Sequence, residues 1–353
     1  MAPVGGVEYP RSYAEFRSWF PDDESCLDYL DWLRWPEGWS CPRCGCRVGW
    51  ALSNGRRECA SCGRQTSTTA GAIFHRTRTP LTVWFAAAWQ MTSQKHGISA
   101  LGLQRVLGLG SYQTAWAMLH RFRAAMVRPG RERLSGQVEV DESYVGGNEE
   151  GARGRETETK ARVAIAVEVH QPKGIGRIRL QHVPDVSKAS LIPFVGASVE
   201  PGSTVRTDGW QAYWTLPDHG YTHDRVVVRR GHDPAHLAMP NVHRVPSLLK
   251  RWLLGTHQGA VQATHLQAYL DEFAFRFNRR RSRAWSPLLP APRAGRRRQA
   301  DHLPAAAGRT RDQAPQLQRT PRRAPQPLHP GSTARRATLA PPQPELDGYP
   351  PSP

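Results

Sequence analysis

The sequence is poor in acidic residues. Its 353 residues include 30 Asp and Glu against 48 Lys and Arg, which gives a net charge of +18 at pH 7 and a pI near 10.4. A chain with this excess of positive charge favours an anionic partner, and nucleic acid is the first candidate. A membrane surface is the weaker alternative.

Long hydrophobic runs are also missing. The longest run, near residues 81–91, is too short to cross a bilayer, and the N-terminus lacks a basic-then-apolar signal pattern. The sequence therefore predicts no membrane-spanning segment and favours a cytoplasmic location.

Cysteine is scarce, and its six residues are unevenly placed. Cys41 and Cys44 form one Cys-x-x-Cys-Gly string, Cys59 and Cys62 form another, and fourteen residues separate the two pairs. Four thiolates from two such turns close a tetrahedral shell, which predicts a structural Zn²⁺ ribbon and excludes a disulfide framework. Cys46 could compete as a ligand but lacks a paired turn. Nearby arginines suit phosphate contact: Arg43, Arg47, Arg56, Arg57 and Arg64.

Lysine is absent from residues 286–353, which hold 15 of the 30 prolines and 11 arginines. This segment has too little apolar surface to offset the chain entropy lost on folding, so it is predicted to be disordered. Two origins remain open. It is either a genuine basic tail or a frameshifted product. The second origin would explain the composition, because a GC-rich gene read in a wrong frame yields Arg, Pro and Ala.

The rest of the chain divides into three predicted regions: a zinc-ribbon region at 1–70, a helical region at 71–130 and a mixed region at 131–285. Three antiparallel strands, a helix and a fourth strand are typical of an RNase H-like α/β fold. The predicted strands are 137–146, 161–169, 176–184, 203–208 and 225–229, and the predicted helices are 188–199, 243–254 and 264–281.

The helical region resembles a helix-turn-helix. One helix opens after Ser99 and ends near Leu107, and Ser111 is predicted to cap a second helix over 112–126. The second helix could read a DNA major groove; the alternative is an ordinary helical hairpin with a basic face. Its inward residues are predicted to be Ala115, Leu119 and Phe122, and its outward residues Gln113, His120, Arg121 and Arg123.

Asp141 ends the β-type run 137–141, and Asp208 ends the run 203–208. Carboxylates on neighbouring strand ends are rigidly aimed and can share divalent metal ions, and Mg²⁺ prefers oxygen ligands. Two such ions activate a water or a 3′-hydroxyl for phosphoryl transfer. Within the first strand, Glu139 lies on the same face as Asp141, and Glu142 lies on the other.

A basic helix carrying His243 and Lys250 follows. Their spacing of seven residues makes about two turns, so both side chains face the same way. Alone, such a histidine is more often a solvent-exposed or core residue. Glu272, in the next helix and 64 residues beyond Asp208, is the rival third member of the site.

Three strings of the sequence carry a resemblance. They read Val-Asp-Glu-Ser-Tyr-Val-Gly-Gly at 140–147, Thr-Asp-Gly-Trp-Gln-Ala-Tyr at 207–213 and Val-His-Arg-Val-Pro-Ser-Leu-Leu-Lys-Arg-Trp at 242–252. In combination they resemble bacterial insertion-sequence transposases with an N-terminal zinc ribbon and a DDE-type, ISXO-like catalytic domain. The similarity covers about residues 15–285.

The resemblance implies an RNase H-like fold, Mg²⁺ or Mn²⁺ dependence and strand transfer at terminal inverted repeats of double-stranded DNA. It also implies a homo-oligomer that pairs two ends, working in the bacterial cytoplasm at the nucleoid. Asp141 and Asp208 match the first two catalytic aspartates and metal ligands. His243 falls where many members have Glu and others Asn or His, and Lys250 matches a basic residue suited to DNA phosphate. A neutral imidazole suits Mn²⁺ better than Mg²⁺.

Three alternatives remain open at this point. An inactive transposase remnant would explain the unusual tail and His243. A non-enzymatic zinc-ribbon regulator would bind DNA without cleavage, although the paired strand-end aspartates argue against it. An RNase H-type nuclease would cut RNA–DNA hybrids without end specificity.

Overall fold

The computed structural model describes residues 10–281 apart from 54, 128–129, 147–159, 171–173, 227–237 and 260. The predicted disordered tail at 286–353 lies outside the described residues. So do the last three residues of the strand predicted at 225–229.

The N-terminal region consists of two short helices followed by a small sheet. The carboxylate of Asp22 caps the second helix by accepting from the backbone N–H of Ser25 at 2.8 Å, which satisfies an amide that the first turn leaves free. The sheet is antiparallel in the order β1-β2-β3. The elements are α1 (Tyr13–Trp19), α2 (Asp23–Arg34), β1 (Gly49–Ala51), β2 (Arg57–Cys59) and β3 (Gln65–Thr66).

The longest apolar run of the sequence forms helix α3 (Leu81–Ser93). Its apolar side chains pack with Phe16 of α1 and Phe122, further along the chain, in one aromatic-rich core. Among the described helices, none combines the length and the apolar character needed to cross a bilayer.

Two helices, α4 (Ala100–Leu107) and α5 (Tyr112–Met126), occupy the positions of the predicted helix-turn-helix. Ser99 caps α4 by accepting from the Gly102 N–H at 3.0 Å, and Gly108 ends it with φ +62°, a left-handed conformation that glycine adopts at low cost. Ser111 precedes α5 as predicted, but its hydroxyl contacts the Gln113 side chain instead of a backbone amide.

The prediction that Arg123 and His120 face outward is wrong. Arg123 is only 1% exposed and donates from Nε to Glu272 at 2.8 Å. His120 is half-buried with its ring 3.9 Å from that of Trp116, and burial, aided by the charge of Arg123, lowers the pKa of His120 to about 4. The helical spacing could not reveal this, because the counter-ion lies 149 residues away in the chain.

The other predicted faces of α5 are confirmed. Gln113 and Arg121 are exposed. The residues predicted to face inward, Ala115, Leu119 and Phe122, are all buried.

The described residues between 137 and 278 include five strands that form one sheet, with helices on both faces. The strand order is β6-β5-β4-β7-β8, with β4, β5 and β6 antiparallel and with β7 and β8 parallel to β4. This order confirms the predicted RNase H-like α/β fold. The strands are β4 (Gln137–Val145), β5 (Ala161–Val169), β6 (Ile175–Val183), β7 (Thr204–Asp208) and β8 (Thr222–Val226); the helices are α6 (Lys188–Ser198), α7 (Pro240–His257) and α8 (Ala263–Asn278).

The central strand β4 divides two hydrophobic cores. Val138 and Val140 are fully buried in the core beneath α6. The alternate residues, Glu139 and Asp141, point to the opposite face, which α7 and α8 cover. The sheet therefore presents acidic side chains to α7 and apolar side chains to α6.

An ion cluster joins the helical region to the sheet domain. Glu272 of α8 is fully buried and accepts from Arg123 and from Arg276, whose Nη2 lies 2.7 Å away. Arg276 also donates to the carbonyls of Met91 and Gln94, where α3 leads towards α4. Glu272 thus holds α5, α8 and the α3–α4 connection together.

We expect Glu272→Ala to lower the free energy of unfolding by about 3–5 kcal/mol, because it leaves the buried Arg123 without its counter-charge. Urea unfolding followed by circular dichroism measures this loss. The control is Glu37→Ala, which removes an exposed ion pair with Arg47 and should change little. Equal effects of the two substitutions would contradict the structural role of the buried cluster.

Candidate functional site

Asp141 and Asp208 occupy matching positions on neighbouring parallel strands. The register of β4 and β7 pairs Glu139 with Arg206. The pairing of β4 with β7 ends there, and Asp141 and Asp208 each lie two residues further along their own strand. Because side chains alternate along a strand, both carboxylates lie on the face covered by α7. Both carboxylates are partly accessible.

The backbone after β7 fixes the second aspartate. Asp208 Oδ1 accepts from the N–H of Trp210 at 3.0 Å, so its carboxylate is held over its own turn. The Trp210 ring is anchored in turn, because its Nε1 donates to the carbonyl of Val186 at 2.9 Å. The second aspartate therefore has a defined orientation.

His243 lies in the first turn of α7 and faces Asp141. Its Nδ1 is 3.5 Å from Asp141 Oδ2, and the two side chains are 32% and 15% exposed. The structure thus brings His243 to Asp141. The prediction that Asp141 ends a strand is wrong, because β4 continues to Val145 and Asp141 lies in its middle; Asp208 does end β7. The rival Glu272 lies instead in the buried cluster with Arg123, away from this contact.

Lys250 lies two turns along α7 from His243, as the spacing predicts. It is exposed at the helix surface. Partial burial, together with the positive charge of Lys160, lowers the pKa of Lys250. Lys160 directly precedes β5, so the start of β5 and α7 bring two lysine charges within reach of each other.

Sequence reasoning missed the role of Tyr213. Its side chain is fully buried under the sheet, and its hydroxyl donates to Glu142 Oε1 at 2.6 Å. Burial, then the negative charges of Glu142, Asp141 and Asp208, hold the pKa of Tyr213 well above its usual range, so the phenol remains a proton donor. Glu142 directly follows Asp141, and Tyr213 lies five residues after Asp208. This bond therefore links the middle of β4 to the segment after β7 on the far face. The signal was present, since both residues belong to the strings flanking the aspartates.

The four predicted zinc ligands converge. The Sγ atoms of Cys41, Cys44, Cys59 and Cys62 all lie within 4.8 Å of one another, with 3.7 Å between Cys41 and Cys62 and 3.5 Å between Cys44 and Cys59. Tetrahedral zinc with its usual bond length separates sulfurs by roughly 3.8 Å, so the cluster fits a structural Zn²⁺. Of the residues that the structure describes, this is the one group of three or more His, Cys, Asp or Glu residues at such spacing.

The remaining two cysteines lie outside the cluster. Cys46 contacts the backbone of Val48. Cys26 is fully buried in the core of the helical region, and burial raises the pKa of its thiol to about 12. Neither contributes to the metal site.

Two domain families match the chain. Residues 21–65 match the transposase zinc-ribbon domain, and residues 133–278 match the ISXO2-like transposase domain. Together they span more than half of the 353 residues. The chain belongs to the ISXO2-like insertion-sequence transposases. In this transposase the helices α3, α4 and α5 fall between the two matched regions.

One solved structure similar to the transposase is titled "CryoEM structure of simian T-cell lymphotropic virus intasome in complex with PP2A regulatory subunit B56 gamma". The two are 13% identical, the match covers 47% of this chain and 63% of that chain, and the TM-score is 0.26. A similarity at this level carries no argument about the transposase. No curated protein matches the chain.

We expect Cys44→Ser to release zinc and to disrupt the ribbon while the sheet domain keeps its fold, because a structural zinc site stabilises its own small domain. Metal analysis of the purified protein gives the zinc content per chain. Cys46→Ser is the matched control and should retain one zinc ion per chain. Full zinc content in Cys44→Ser would contradict the ligand set.

Proposed function

We propose that this transposase is an active DDE-type enzyme that cuts DNA at the terminal repeats of its element and joins the freed ends to target DNA. The observation that carries this proposal is that Asp141 and Asp208 each lie two residues beyond the last paired residues of adjacent parallel strands, with His243 in contact with Asp141. Three groups from three separate segments lie on one face of the sheet, and two of them, Asp141 and His243, are in contact. A purely structural role does not require partly accessible carboxylates at that position.

Asp141 and Asp208 are the residues that would hold catalytic Mg²⁺ or Mn²⁺. They are hard oxygen donors on a rigid sheet, which fits the preference of these ions. Bound divalent cations supply charge stabilisation for the attacking and leaving oxygens of a phosphoryl transfer. The side chains orient this chemistry, and the Tyr213–Glu142 hydrogen bond limits how far β4 and the segment after β7 can separate.

His243 is assigned as the third member of the site. Its imidazole contacts Asp141 through Nδ1 and offers nitrogen where a carboxylate would offer oxygen. Such a ligand set suits Mn²⁺ better than Mg²⁺. We therefore expect activity with Mn²⁺ to exceed activity with Mg²⁺.

The proposed chemistry has two in-line displacements. Water attacks the phosphorus at the element end and releases a 3′-hydroxyl, and the other strand fragment keeps the 5′-phosphate. That 3′-hydroxyl then attacks a target phosphodiester, forms the new bond and expels the target 3′-oxygen. The nucleophiles are water and DNA, so no covalent bond to the protein forms.

Two basic surfaces support DNA binding. Exposed arginines surround the zinc cluster at Arg43, Arg47, Arg56 and Arg64, and the exposed face of α7 carries Arg244, Lys250 and Arg251. Backbone phosphates bind such side chains without regard to sequence. On α5 the exposed Tyr112 and Gln113 remain for contacts with bases. We further propose that the protein acts as a homo-oligomer pairing two ends.

One alternative has a specific observation behind it. The histidine in place of a carboxylate would also fit an inactive remnant that folds and binds DNA but no longer cuts it. Such a copy would show repeat-specific binding and no nicking in either metal. The cleavage experiment below separates the two functions.

We expect purified protein to nick DNA carrying the repeat ends in a metal-dependent reaction that Asp208→Asn abolishes, because the substitution removes a charged oxygen ligand. Denaturing gels of end-labelled DNA report nicking and joining, and a mobility-shift assay should show unchanged binding. Asp218→Asn, in the exposed turn after β7, is the matched control and should keep full activity. Metal-dependent cleavage by Asp208→Asn would move the site elsewhere.

We expect Lys250→Ala to weaken DNA binding and to reduce the slope of log affinity against log salt by about 0.9, the effect of losing one phosphate contact. Fluorescence anisotropy at several salt concentrations measures this slope. Lys188→Ala, an exposed lysine at the start of α6 on the opposite face, should leave the slope unchanged. Identical slopes for both variants would make Lys250 an ordinary surface residue.

A further inference from the structure

Glu139 is a buried acid close to the proposed site that has no part in the chemistry described above. It lies two residues before Asp141 on the central strand and points to the same face. It is only 2% exposed. A carboxylate buried to this degree is costly unless hydrogen bonds compensate for the lost water.

Those hydrogen bonds come from the first turn of α7. Glu139 Oε2 accepts from the backbone N–H of Val242 at 2.7 Å, and Oε1 accepts from Asn241 Nδ2 at 2.8 Å. Met239, the residue at the N-cap of α7, makes no side-chain capping bond, and Pro240 has no N–H to satisfy. The helix is therefore capped by a strand residue from 103 positions earlier in the chain.

Charge favours the same arrangement. A helix N-terminus carries partial positive charge, and a carboxylate placed there is stabilised. Arg206 pairs with Glu139 across β4 and β7. Its guanidinium does not compete with α7 for the Glu139 carboxylate, because its Nε donates to Asp224 at 2.7 Å. The carboxylate of Glu139 thus makes its hydrogen bonds to the start of α7.

Two contacts then stand side by side between β4 and α7. Glu139 binds Val242, and two residues along the strand Asp141 meets His243, the next residue of the helix. The first contact sets the height and rotation of the helical turn from which His243 projects. We propose that Glu139 is a positioning residue that holds His243 opposite Asp141 and so completes the metal site. This inference rests on the proposed function.

The substitution that tests this is Glu139→Gln, because the amide keeps the shape but removes the negative charge that the start of α7 stabilises. Exchanging the partner as well, in Glu139→Gln with Asn241→Asp, returns a negative charge to the start of α7 and keeps a donor–acceptor match at unchanged net charge. Asn278→Ala is the matched control. It removes a comparable, part-buried link, between α8 and the backbone of Ile178, without touching α7.

The first readout needs no metal. Hydrogen–deuterium exchange should become faster at the start of α7 in Glu139→Gln, return towards the unaltered rate in the double variant, and remain unaltered there in Asn278→Ala. Unaltered exchange at the start of α7 in Glu139→Gln would overturn the anchoring role.

The second readout is Mn²⁺ affinity by calorimetry on the full chain, with zinc retained in the ribbon. Glu139→Gln should weaken Mn²⁺ binding on the order of tenfold, as loss of a residue supporting a metal ligand does, and the double variant should recover most of it. Asn278→Ala should bind Mn²⁺ normally even where it lowers stability. Normal Mn²⁺ affinity in Glu139→Gln would overturn the positioning role. Absence of saturable Mn²⁺ binding in the unaltered protein would overturn the proposed function itself, and the exchange experiment would still decide whether Glu139 anchors α7.

Discussion

The arrangement of the described chain depends on the ion pairs that the buried carboxylate of Glu272 makes with two arginines. Arg123 and Arg276 reach it from α5 and from one turn along α8, and Arg276 also binds the connection between α3 and α4. The terminal nitrogens of Arg123 have no hydrogen-bond partner among the described residues, and its guanidinium lies 4.0 Å from the ring of Tyr269. Charge and aromatic contact together allow the helical region to pack on the sheet domain.

This packing changes how the helix-turn-helix arrangement is interpreted. A recognition helix in a major groove needs its outer face free, and on α5 the middle of the predicted outer face is turned towards α8. Only its first turn and the Arg121 side offer polar groups to solvent. Any DNA that the first turn contacts is consequently held at a fixed geometry relative to the aspartates, because α5 and α8 are joined through Arg123.

Local sequence patterns predicted the helices and strands well, but they predicted less well which side chains contact each other across the fold. The strands of the sheet, the four cysteines and the alternation of Glu139 with Val140 follow from periodicity and spacing, which are local properties. The positions of Arg123 and Tyr213 do not, because each is determined by one acid far away in the chain, Glu272 or Glu142. His243 is intermediate: its helical face was predictable, while its contact with Asp141 depends on how α7 docks on β4.

The parallel pairing of β4 with β7 has a consequence for which changes the protein can tolerate. Side chains alternate across a strand, so a shift of one residue in β7 would turn Asp208 into the apolar core beneath α6 and bring Thr207 to the other face. Inserting or deleting a single residue between Thr204 and Asp208 is therefore more damaging than many substitutions in the same stretch. For this short strand, length is a stricter requirement than composition.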